Sequence, residues 1–80
     1  MIKKTIPLAQ LTRNQTAKIA SIHGGHGFRR RLQVLGIREG QTVKVLSKQP
    51  LRGPLTISIG GNCQMTLGRG MAHKIIVEEL

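Results

Sequence analysis

Residues 55–67 read LTISIGGNCQMTL, two short alternating segments joined by a pair of glycines. Leu55, Ile57 and Ile59 fall on one side of a period of two, with Thr56 and Ser58 on the other, and Cys63, Met65 and Leu67 repeat the pattern after the turn. A helical period would scatter these side chains around an axis, whereas a pleated strand sends alternate residues to opposite faces. Gly60 and Gly61 supply the positive φ values that a tight hairpin connection demands. The stretch therefore predicts two antiparallel strands sharing a core face, with Cys63 turned inward. A lone hairpin is marginal in water, so the rest of the chain must bring further strands to cover that face.

Those strands are visible. TAKIASI, Thr16 to Ile22, has strand composition, TVKVLSK places Val43 and Val45 on one face and Lys44 and Lys48 on the other, and IIVEE reads as a closing strand. The spacing changes in one place only: Phe28, Leu32 and Leu35 fall at i, i+4 and i+7, which predicts a helix of about two to three turns beginning at Phe28. Gly36 suits the left-handed position after its end, with Ile37 folding back on Leu32. HGGHG before it reads as a sharp loop. Residues Met1 to Thr5 read as a loose basic leader, and Pro7 opens a turn that sets Leu8 and Leu11 three apart. QPLRGP is a loop bracketed by Pro50 and Pro54, and MAHK allows one helical turn. The expectation is a single domain over residues 1–80, mainly β with short helices, wound as a small, strongly bent antiparallel barrel.

Charge narrows the function. Thirteen Lys and Arg face three acids, Glu39, Glu78 and Glu79, for a formal net charge of +10. Such a field draws polyanions: nucleic acid, an anionic membrane face or an acidic protein surface. The chain has no Trp or Tyr and a single Phe, Phe28, which takes support from single-strand binding by base stacking and from grooves for proline-rich peptides. Catalysis finds no footing, since the acids are not paired and the absence of Asp removes a Ser-His-Asp triad. We expect no enzyme, no small-molecule substrate and no cofactor.

His23, His26, Cys63 and His73 are the candidates for a metal. Their spacing carries little weight, because glycine loops often hold surface histidines and an inward Cys63 reads as a small core residue, so no metal site is expected. GGHG lacks the strand, spacing and lysine of a nucleotide-binding loop. One unpaired thiol fits a reducing compartment, and MIKKTIPLAQL contains no continuous apolar run, so a cytoplasmic location is expected.

That leaves Arg29, Arg30 and Arg31 at the start of the predicted helix, where positive charge opposes the macrodipole. Arg29 and Arg31 fall on the rims of the apolar stripe and Arg30, beside Val34, points to solvent. Helix stability does not account for them. Two readings remain, ordinary solvated surface charge and a docking surface for an anionic partner, and the net charge favours the second.

IPLAQL, the basic helix FRRRLQVLGI, the turn REGQTVKV, the proline-bounded QPLRGPLTISI and the closing MAHKIIVEE, in that order, resemble the FeoA family of small ferrous iron transport proteins. The resemblance implies an SH3-like barrel of five or six strands with short helices. It implies a cytosolic accessory of FeoB, the membrane permease with a GTP-binding cytosolic domain that imports ferrous iron, and similar domains end iron-dependent repressors. Arg29, Arg30, Arg31, Leu32 and Gly36 match the family's basic helix, and Leu51, Gly53 and Pro54 its central loop. Arg52 and Gly53 stand where that loop commonly carries Gly and Asp, and Gly68 and Gly70 where the family often has acids, so this chain is the more basic. The expected partner surface is therefore Arg29, Arg30, Arg31, Leu51, Arg52, Gly53 and Pro54. It would meet the permease's cytosolic domain and modulate it, at the inner face of the membrane with its anionic lipid. The rival reading is a nucleic-acid-binding SH3-like barrel.

Overall fold

The structure, a computed structural model, describes residues 4–49, 53–61 and 63–80. Strand β1 (Thr5–Pro7) runs into a 3-10 turn (Leu8–Gln10), followed by β2 (Thr16–Ile22), helix α1 (His26–Val34), β3 (Thr42–Lys48), β4 (Leu55–Ile59), β5 (Cys63–Leu67), the short helix α2 (Arg69–His73) and β6 (Ile75–Glu79). The strands form one six-stranded sheet in the order β1-β6-β2-β3-β4-β5. Every neighbouring pair is antiparallel. The sheet is barrel-like, with β1 and β5 at its two ends.

Alternation fills the interior. Ala17 and Ile19, Val43 and Val45, Leu55 and Ile57, and Ile75 and Val77 are all buried, contributed two at a time by four neighbouring strands. Leu8 and Leu11 plug one side of this core at zero exposure, and the Leu11 amide donates to the Leu8 carbonyl at 3.1 Å. Each such aliphatic side chain contributes about 1.5–3 kcal/mol when fully removed from water. Gly60 and Gly61 adopt φ 63° and 86°, the conformation the hairpin needed, and the β4–β5 register runs unbroken from Leu55↔Leu67 to Ile59↔Cys63.

Four expectations need correcting. Thr5 belongs to β1, pairing with Glu78, and so is no part of a loose leader; Met1 to Lys3 lie outside the described residues. The register of β3 against β4 shifts between Val45 and Ser47, so Lys48 pairs with Leu55 and shares its inward face. A bulge of this kind reverses the alternation beyond it. Lys48 Nζ accordingly reaches the Ala9 carbonyl at 3.0 Å and does not face outward with Lys44. Cys63 keeps the facing its register dictates, opposite Ile59, yet it is exposed. Burial fades along β5 from Leu67 through Met65 to Cys63, because an end strand has core beneath only part of its length. Finally, α1 starts two residues earlier than the periodicity indicated.

Candidate docking surface

Helix α1 begins at His26 with Gly25 as its N-cap, and the Arg29 amide makes the first four-residue bond, to the Gly25 carbonyl at 3.1 Å. Its first turn is thus His26 to Arg29. Arg30 and Arg31 sit beyond it, so the macrodipole penalty expected of those two falls away, and Arg31 lies in the last turn, where a cation is favoured. Contacts on two sides hold Phe28 in that first turn. Gly24 at φ 129° lets the chain double back so closely that a β-carbon there would stand 2.8 Å from Phe28 Cδ2. Phe28, half-buried against the core, is held on another side by the Lys74 ammonium, 4.9 Å from the ring centroid.

The helix ends as its glycine predicts. Gly36 has φ 89°, the Ile37 amide donates to Leu32 O at 2.8 Å and the Gly36 amide to Gln33 O at 3.0 Å, the paired bonds of a Schellman cap. Leu32 and Ile37 are buried, but Leu35 is 43% exposed and leaves the stripe assigned to it. The cap turns the chain one residue past Leu35, so the core takes Ile37 in its place. Gln41 secures the exit: its Oε1 accepts from the Arg38 amide at 2.7 Å and its Nε2 donates to Gly36 O at 2.9 Å.

Arg29, Arg30 and Arg31 are all exposed. Arg29 Nη2 lies 3.4 Å from Glu39 Oε1, with both side chains about half exposed. An exposed pair of this sort contributes little to stability, typically about 0–1 kcal/mol. His26, Arg29, Arg30 and Gln33 line a shallow concavity on the helix.

Of the loop residues expected to join this surface, Leu51 and Arg52 lie outside the described residues. Gly53 and Pro54 are described, and the loop closes by a bond from the Gln49 amide to Pro54 O at 3.2 Å. Arg69, which sequence reasoning passed over, holds both shoulders of the loop. Its Nε donates to Gly53 O at 3.4 Å and its Nη2 to Gln49 O at 3.3 Å. Arg69 opens α2 and Lys74 follows its end, so one short helix touches the loop at its first residue and α1 at its C-cap. At about 1.5 Å per residue, α2 spaces these attachments along its axis by roughly 7 Å. On α1 the residue that α2 meets is Phe28 and not one of the arginines. The only advance signal for Arg69 was its place as a basic residue between two glycines.

The metal candidates sit on separate segments. His23 Nε2 lies 3.3 Å from Ser21 Oγ, His26 is on α1, His73 ends α2 and Cys63 opens β5. Among the described residues, no three His, Cys, Asp or Glu side chains group as a metal site. No described helix is long and apolar enough to cross a membrane.

The sequence profile of the FeoA domain matches residues 6–79. In structure the chain is similar to an iron uptake regulatory protein (FeoA) known from a crystal structure, at 32% identity and a TM-score of 0.87, over 96% of this chain and 100% of that one. It is similar to the FeoA protein from Chlorobium tepidum at 32% identity and a TM-score of 0.83, over 94% of this chain and 70% of that one. A manganese-dependent transcriptional repressor shares the fold at 21% identity and a TM-score of 0.89, with this chain spanning 44% of its length. No curated protein matches in sequence. A profile satisfied from inside β1 to the end of β6, with a relative at 32% identity over its full length, makes this chain a member of the FeoA family of SH3-like domains associated with ferrous iron uptake.

Proposed function

We propose that this chain is a non-enzymatic accessory of ferrous iron uptake that docks on the cytosolic domain of a FeoB-type permease and modulates transport. One observation carries the reading: α1 presents three exposed arginines in succession, and α2 ties that helix to the loop ending at Gly53 and Pro54. A partner with an acidic face would meet a rigid basic surface, and steering by the net charge would speed the encounter. Family membership supplies the context of iron uptake. No chemistry is asked of the domain itself, and ferrous iron is the permease's cargo.

The nucleic-acid reading loses ground, because the ring of Phe28, the chain's single aromatic side chain, is half-buried and faces Lys74, which leaves no free platform for a base.

The test is a titration of the purified chain against the permease's cytosolic domain at low salt. Arg29→Glu, Arg30→Glu and Arg31→Glu together should weaken binding by at least about tenfold, a loss of roughly 1.4 kcal/mol, while circular dichroism stays unchanged. Unchanged affinity in a folded triple variant overturns the proposal. Tight, steeply salt-dependent binding to generic RNA would replace it with the nucleic-acid reading.

A further inference from the structure

The large hydrophobic side chains exposed among the described residues are Val34 at 82%, Leu35 at 43% and Leu80 at 72%. Two of these three adjoin each other at the end of α1. On a helix, residues three and four apart are surface neighbours, so Arg30 and Arg31 flank Val34, Arg31 flanks Leu35, and Arg38 follows just past the Schellman turn. From His26 to Arg38 there is no acid, and Glu39, the next residue, is engaged by Arg29.

Neither folding nor solubility asks for this arrangement. A β-branched residue on an exposed helix surface is a weak helix former and gains nothing from the core. From this we infer that the C-terminal turn of α1 is a membrane-contacting tip, with Val34 and Leu35 entering the interfacial layer of an anionic bilayer while Arg30, Arg31 and Arg38 lie among its headgroups.

Two features favour lipid as the occupant. The charge flanking the apolar pair in sequence is of one sign, complementary to a continuous anionic surface. Arg30, Arg31 and Arg38 are exposed, and their long stems can cover apolar surface while the guanidinium heads stay in the polar layer. A tip of two side chains suits shallow insertion, not a span. The inference shares Arg30 and Arg31 with the docking reading but does not rest on it, and its test contains no permease.

The chain has no tryptophan, so Val34→Trp introduces a single reporter. With vesicles of phosphatidylcholine containing about one third phosphatidylglycerol, at about 0.15 M salt, its emission should shift to the blue. It should not shift with phosphatidylcholine alone, nor should Thr66→Trp, an exposed position on β5 outside the tip, shift with either. In sedimentation with the anionic vesicles, Val34→Ser with Leu35→Ser should lower partition about tenfold, and Arg30→Gln with Arg31→Gln should do likewise. If the double serine variant loses its fold, Val34→Ser alone, at the most exposed of the two sites, should still lower partition several-fold. No blue shift, equal binding to neutral vesicles, or folded serine variants that bind like the parent each overturn the inference, the last by leaving a purely electrostatic attraction.

Discussion

Gly24 and Phe28 form the tightest side-chain constraint near the candidate surface. Both the positive φ at Gly24 and the 2.8 Å approach to Phe28 Cδ2 exclude a β-carbon. Gly24→Ala should therefore cost about 1–3 kcal/mol, read as a shift in the urea midpoint with an unchanged slope. Gly25, whose β-carbon would meet nothing within 4 Å and whose φ is −76°, provides the control: Gly25→Ala should change stability by well under that amount. Glu39 offers a contrasting case. Its exposed bond to Arg29 contributes little, so Glu39→Gln should alter stability by less than about 1 kcal/mol while leaving Arg29 uncompensated. On the docking reading, which asks for an acidic face on the partner, the same variant should bind the permease's cytosolic domain more tightly at low salt. Weaker binding would mean that Glu39 orients Arg29 for the partner.

At the scale of elements, Arg69 is the member to perturb. Arg69→Met keeps most of the stem but removes the donors to Gly53 O and Gln49 O. The Gln49 amide, bonded to Pro54 O, should then exchange with solvent at least about tenfold faster, while amides of β2 and β6 keep their protection. Equal exchange would show that the loop needs no brace. Strands β2 to β6 were legible from alternation or composition, while the three residues of β1, read as leader and turn, were too few to show a period; β2 came out with the very bounds its composition suggested. The bulges in β2 and β3 left no such imprint, since an extra residue is a matter of pairing, not of residue type, and this is why Lys48 was assigned to the wrong face. The end of α1 was legible from Gly36. Its beginning was not, because glycine propensity argued against helix at Gly27 while packing around Phe28 decided for it. Of the candidate surface, the arginines could be read from the sequence, but the contacts of Lys74 with Phe28 and of Arg69 with the loop are tertiary and have no local signal. The exposure of Leu35 was hidden for the same reason: periodicity continues through a residue that the cap has already turned away.

For the whole molecule, the excess of cations sets a signature. With thirteen Lys and Arg against three acids, the folded state concentrates like charge that the expanded chain holds further apart. Raising salt from about 10 mM to about 150 mM shortens the screening length from about 30 Å to about 8 Å, and so should raise the thermal midpoint by a few degrees. A falling midpoint would mean that attractive pairs outweigh this repulsion. The same salt change should slow association with an acidic partner more than it speeds dissociation. Strand order adds a matter of timing. In the sheet order β1 has β6 as its neighbour, so the earliest strand to be synthesised waits for the latest. While the ribosome is still short of residue 75, β1 and one side of β2 have nothing to pair with, and the nascent domain must carry two open seams until Ile75 to Glu79 emerges and closes both at once.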